Sequence, residues 1–155
     1  MSEVDTEPTD TEFSILSGDE AREIVAKAEL LRKKAWDEEA QKHSLKERLD
    51  QAVLQRKFKD AFLLRRQIET LEAGVEKLHR SAARRYFRAG NLSNKDDVVD
   101  VHGLFIHEAV KKVESSLHTA ILNGRTGLKV IVGRGLHSKG GRAKLRPAIM
   151  EAMQR

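Results

Sequence analysis

Val98-Val99-Asp100-Val101-His102-Gly103 opens on an apolar pair and closes on a glycine, the pattern of a short buried strand that ends in a turn. In a strand, residues two apart point to the same face, so Asp100 and His102 project together. Gly103 lets the chain leave the strand at a dihedral that other residues resist. A second apolar run, Leu128-Lys129-Val130-Ile131-Val132, leads into Gly133-Arg134-Gly135-Leu136-His137-Ser138-Lys139-Gly140-Gly141, in which four of nine residues are glycine. A strand that opens into a Gly-rich basic loop before a helix offers backbone N–H groups to an anion, usually phosphate. Between the two runs, Ile106, Val110, Val113, Leu117 and Ile121 recur at helical spacing, and Gly124 follows as a stop. Two strands joined by one helix lie parallel, so both carboxyl ends reach the edge where open α/β sheets place their sites. The expected order is strand 98–101, helix 107–123, strand 128–132, glycine loop, and a last helix from 144 or 147 to 154. Pro147 suits a first helical turn, where its missing N–H does no harm. An acid, an imidazole and a phosphate cradle therefore converge.

Outward from this core, residues 92–97 read as a polar linker and residues 18–91 as helical. Ile24, Ala28, Leu31 and Ala35 form one amphipathic stripe. Ser44-Leu45-Lys46-Glu47 has the form of a capping box, which predicts a turn near His43 and a restarted helix with Leu45, Leu49, Ala52 and Val53 on its apolar side. Phe58 to Ala89 reads as one long helix with a break expected at Gly74, and Gly90-Asn91 ends it. Residues 1–17 are acidic, contain Pro8 and lack apolar periodicity, so a disordered tail is expected there. The fold class is α+β: an N-terminal helical hairpin or bundle, then a small α/β domain over 98–155 in β-α-β-loop-α order.

With 155 residues the chain has room for one domain and an appendage, or for two small domains. A charged content of 34% beside only 5% aromatic residues suits long solvated helices better than a large sandwich core. The absence of cysteine removes disulfides and thiolate metal sites and fits a reducing compartment. No apolar run reaches the roughly 18–20 residues of a membrane span, and the acidic N-terminus is unlike a signal or transit peptide. A protein of the cytoplasm is expected, with the nucleus as the other compartment and no membrane partner. The net charge of +5 is unevenly spread: Gly124 to Arg146 holds seven basic residues and no acidic one, which points to a polyanionic partner. Arg80, Arg84, Arg85 and Arg88 share roughly one helix face and are expected to extend that basic surface. The low aromatic content argues against base stacking, so recognition tolerant of sequence is expected.

Asp100-Val101-His102-Gly103, the helix after it, the run from Ile131 through Gly141 and Leu145-Arg146-Pro147 together resemble the Smr (small MutS-related) domain. That family is marked by a Leu-Asp-x-His-Gly motif and a Gly-x-Gly loop often continued by His-Ser-x-Gly-Gly. Residues 18–91 resemble, more loosely, the DUF1771 helical region that often precedes Smr domains, through Arg22…Ala26, Arg32…Ala35, Lys57…Ala61…Leu64 and Ala82 through Asn91. The resemblance implies a fold that continues with a further strand; that strand is expected to be absent here, through truncation or a minimal sheet. It also implies endonuclease activity on RNA or DNA. In eukaryotic proteins carrying the preceding helical region, it implies cleavage of mRNA at stalled or collided ribosomes. The helical region is then an accessory for substrate or ribosome contact.

The residues can be read for chemistry on their own. A phosphodiester beside a 2′-hydroxyl is cleaved without metal by a base at that hydroxyl, an acid at the leaving 5′-oxygen and positive charge on the phosphate. Histidine transfers protons near neutral pH, which suits His102 to the base, with Asp100 orienting its ring. Arg134 and the loop N–H groups hold the phosphate, and His137 is the second acid/base candidate. Substrate contacts are expected from Gly103, Gly133, Gly135, Ser138, Lys139, Gly140, Gly141, Arg142, Lys144 and Arg146. Asp100 and His102 also read as a structural hydrogen-bonded pair, and His137 as a loop cap with Ser138. A divalent cation at Asp100 and His102 would have two ligands and no nearby third, so no metal or other cofactor is expected. The loop lacks the Gly-Lys-Ser/Thr ending of a nucleotide-binding P-loop. Three functions remain: an endoribonuclease for single-stranded RNA, including RNA on ribosomes; a non-catalytic RNA- or ribosome-binding adaptor; and a DNA nickase.

Overall fold

A computed structural model describes residues 10–133 and 144–155, with side chains from Gly18 onward. Helix α1 spans Asp10–Leu54 and α2 Phe58–Asn91; then come β1 (Val98–Asp100), α3 (Ile106–Leu122), β2 (Lys129–Ile131) and α4 (Leu145–Met153). The α+β class stands, and the described elements over 98–155 follow the predicted order of strand, helix, strand and helix. The chain forms two compact units: residues 27–84, and the segment up to Ala26 together with everything from Arg85 on.

The 27–84 unit is a hairpin of α1 and α2. Small residues let the helices approach: Ala28, Ala35, Ala61 and Ala82 are fully buried. Ala52, Ala61 and Leu64 form a cluster with Leu45 and Leu49 against it. The buried Arg32 guanidinium reaches His79 Nδ1 at 2.9 Å and donates to the His79 carbonyl at 3.3 Å. Lys42 lies 2.7 Å from Glu39 and 3.6 Å from Glu72, and the hydrogen bond to Glu39 raises its pKa. The helices are joined at Gln55-Arg56-Lys57, where Lys57 N–H donates to Ala52 O (2.8 Å) and Arg56 N–H to Val53 O (3.0 Å). That pair of bonds is a Schellman C-cap, and Arg56 occupies its left-handed position at φ 55°.

Three expectations for the helices fail. No turn forms near His43: α1 passes straight through Ser44, because one serine costs a helix a fraction of a kcal/mol while a restart needs a new nucleus. The helix begins at Asp10, inside the stretch expected to be a disordered tail, since extending a helix already formed downstream needs no apolar stripe. Gly74 does not break α2. A Cβ there would stand 3.2 Å from Glu38 Oε2, so the glycine lies where the two helices come close.

In the other unit, β1 and β2 pair in parallel with Val98 opposite Lys129, Val99 opposite Val130 and Asp100 opposite Ile131. Among the described residues the sheet has these two strands. Val101 N–H continues the ladder to Ile131 O at 2.9 Å. Val99 and Val101 are buried, so the alternation turns Asp100 and His102 the other way. Helix α3 opens with the Phe105 N–H donating to the Glu108 carboxylate at 2.9 Å. It buries Ala109, Val113 and Ala120, whereas Ile106 and Ile121, expected inside, are exposed: the two described strands are too narrow to cover both ends of the helix. Gly124 follows α3 at φ 70°, and α4 packs on α3 and buries Ile149. Among the described residues no helix is long and apolar enough to cross a membrane.

Candidate active site

The site grows from the carboxyl end of β1. Asp100 is the last strand residue, and its Oδ1 accepts two hydrogen bonds from His102, one from the backbone N–H at 2.9 Å and one from ring Nδ1 at 2.7 Å. A carboxylate can only accept, so the Nδ1 of a neutral His102 carries the proton and Nε2 keeps its lone pair. The Asp100 side chain is 12% exposed and that of His102 52%. The acid is thus held in the protein while the imidazole faces solvent. At the end of β2, Gly133 has φ 73°, and a Cβ there would come within 3.2 Å of His102 Cβ. The first glycine of the loop therefore lies directly beside the histidine, the convergence expected of parallel strands.

Residues that the sequence reading did not single out as functional hold Asp100 in place. In the sequence Asn91 reads only as a helix end. Its Nδ2 donates to Phe87 O at 2.7 Å and to Asp100 O at 2.8 Å, while its Oδ1 accepts from Asp100 N–H at 2.8 Å and from Asn94 Nδ2 at 2.9 Å. Both backbone groups of Asp100 thus end on one side chain from the last turn of α2. Gly90 lets the helix come this close: a Cβ there would meet Asp100 Cβ and Cγ at 3.3 Å. Gly103 has φ 79° and would place a Cβ 3.1 Å from the Tyr86 ring. The signal was present in Gly90-Asn91, a small residue followed by an amide able to donate and accept at once.

Of the expected substrate residues, Gly103 and Gly133 adjoin His102, and Lys144 and Arg146 are exposed at the start of α4. Arg134, Gly135, His137, Ser138, Lys139, Gly140, Gly141 and Arg142 lie outside the described residues. The expected basic face is partly engaged: Arg88 pairs with Glu20 at 3.2 Å, and Arg80, in the 27–84 unit, with Glu76 at 2.7 Å. Among the described residues no group of three or more His, Cys, Asp or Glu side chains is placed to hold a metal ion.

The sequence that forms this strand end matches a known family. Residues 99–155 fit the Smr domain model, and this part of the chain is an Smr domain. An Smr domain-containing protein of Schizosaccharomyces pombe is 39% identical over 80 residues, covering 52% of this chain and 39% of that protein. A Saccharomyces cerevisiae protein named Endonuclease NBR9 is 38% identical over 77 residues, covering 50% of this chain and 32% of the relative. The chain thus spans well under half the length of either relative. No solved structure matches it.

Proposed function

We propose that this chain is an endonuclease that cuts single-stranded RNA, with His102 as the general base. The observation that carries the reading is the 2.7 Å contact of His102 Nδ1 with Asp100, which leaves Nε2 of a half-exposed imidazole free of that carboxylate, with Gly133 beside the ring's Cβ. In this mechanism Nε2 takes the proton of the substrate 2′-hydroxyl, and the 2′-oxygen forms a bond to phosphorus. The bond from phosphorus to the 5′-oxygen breaks, and that oxygen receives a proton from an acid, a role we assign to His137. The products are a 2′,3′-cyclic phosphate and a 5′-hydroxyl. Asp100 fixes the ring and stabilises the imidazolium as it forms. Arg134 and the loop N–H groups bind the charge that develops on the phosphate. The endonuclease name of the yeast relative supports cleavage, and the Smr match supports a nucleic-acid substrate. Ribosome-bound mRNA in the cytoplasm is the substrate implied by the family resemblance, with the DUF1771-like helices as the accessory.

The test is cleavage of end-labelled single-stranded RNA, in EDTA and in magnesium, by the wild type and by the Asp100→Ala/His102→Ala variant, with binding followed at fixed salt. The expected result is cleavage in EDTA that disappears in the variant while binding persists, and that also disappears when the substrate has no 2′-hydroxyl. Equal cleavage of all-DNA strands would instead indicate a nickase. RNA binding without cleavage under any condition would indicate an adaptor.

A further inference from the structure

The tip of the 27–84 hairpin carries a surface that its own packing does not explain. Where α1 turns into α2, Leu54 is 76% exposed, Phe58 68% and Phe62 57%. The buried side of the hairpin here is already filled by Leu45, Leu49, Ala52, Ala61 and Leu64. Phe58 and Phe62 are one helical turn apart, and with Lys59, Arg65 and Arg66 they fall within an arc of about 120° on α2. Ala61, Leu64 and Ile68 take the buried arc.

On the α2 side of the tip the charge is one-sided, while Glu47 and Asp50 of α1 line the cleft shared with Lys57 and Asp60. From Gln55 to Arg66 there are five cations (Arg56, Lys57, Lys59, Arg65 and Arg66) and one carboxylate, Asp60. Among the described residues none of the five makes an ion pair, whereas elsewhere in the same unit Lys42, Lys46 and Arg80 all do. Arg56 adds an independent observation. It stands at the left-handed position of the Schellman cap, φ 55°, where glycine would fit without strain. An exposed arginine thus occupies a position that the cap alone would fill better with glycine.

Protein interfaces are depleted in lysine at their centres. Aromatic faces interleaved with unneutralised cations are instead the means by which proteins hold single-stranded nucleic acid, the rings stacking on bases and the cations tracking phosphates. We propose that the hairpin tip is a second binding site for single-stranded RNA, with Phe58 and Phe62 stacking on bases and Arg56, Lys57, Lys59, Arg65 and Arg66 contacting phosphates. The choice of RNA rests on the nuclease reading above, but the site requires no cleavage. The low aromatic content of the chain thus does not exclude stacking: two of its few rings are placed for it.

The experiment is fluorescence anisotropy of a labelled single-stranded oligouridylate with the full chain, at fixed salt and over a salt series. All variants are made in the His102→Ala background so that cleavage does not distort binding. Phe58→Ala/Phe62→Ala is expected to weaken binding at least about tenfold, and Phe58→Leu/Phe62→Leu nearly as much, because leucine keeps the apolar bulk without the ring face. Lys59→Gln/Arg66→Gln should flatten the slope of log K against log salt by about 1.4. Arg56→Gly should weaken binding while the melting temperature holds or rises. Circular dichroism confirms that each variant is folded. Unchanged affinity in the phenylalanine variants overturns the proposal, and so does affinity lost with alanine but kept with leucine, which would mark an apolar docking surface for a protein. Neither outcome bears on whether His102 cleaves RNA, and a wild type without nuclease activity would leave the binding result readable.

Discussion

Removing the Asn91 side chain should loosen the strand end that carries Asp100 and His102 without touching either residue. Asn91 makes four hydrogen bonds of 2.7–2.9 Å, three of them joining the last turn of α2 to itself or to both backbone groups of Asp100. At a net worth of about 1 kcal/mol each, less what water recovers at a half-buried site, Asn91→Ala costs about 3 kcal/mol. That is about 150-fold in the equilibrium for opening β1. The assay is amide hydrogen exchange across residues 98–104. The Asp100 amide, whose acceptor is Asn91 Oδ1, loses protection outright, and the Val101 amide, bonded to Ile131 O, exchanges about 150-fold faster. Asn91→Asp separates hydrogen bonding from volume. It keeps Oδ1 but replaces a donor with an oxygen facing the carbonyls of Phe87 and Asp100, so at neutral pH it should be at least as damaging as alanine. Wild-type protection of Val101 in both variants would refute the idea that Asn91 ties the strand to the helix.

Two glycines give predictions of opposite sign. Gly133→Ala meets His102 Cβ at 3.2 Å from a left-handed backbone, so it should cost about 1–2 kcal/mol and reduce RNA cleavage more than RNA binding, measured side by side. Gly74→Ala meets only the mobile end of Glu38 inside a helix, so it should stabilise the protein by about 0.5–1 kcal/mol, read as a higher urea midpoint. A lower midpoint would show that Glu38 cannot move aside.

The sequence made the parallel β-α-β core legible because apolar runs of a few residues, a helical stripe and glycine stops all agreed on it. Asp100 and His102 could be placed on one side because alternation along a strand is strict. The helices were harder. Ser44-Leu45-Lys46-Glu47 carries the side chains of a capping box, yet the same four residues sit without difficulty inside a helix, and only packing of Leu45 and Leu49 onto Ala52, Ala61 and Leu64 decides between the two. Gly90-Asn91 hints at a close approach, but the partners of Asn91 and Tyr86 lie across a turn, and spacing within one element does not name contacts between elements. Exposure was equally hidden: Phe58 and Phe62 fit a helical period as well as any core residue, and which arc of α2 meets α1 is set by alanines that carry little pattern of their own.

The Asn91 contacts also change where this protein can be cut. The family match begins at Val99, and a polar linker over 92–97 invites a boundary there. A fragment starting in that linker would carry both motifs intact and still leave behind Tyr86, Gly90 and Asn91, the residues against which Gly103 and Asp100 are seated. The smallest transplantable piece therefore starts upstream of Tyr86 and carries the last turns of a helix that lies wholly before the family match. An inactive short fragment would speak to the choice of boundary before it spoke to the chemistry.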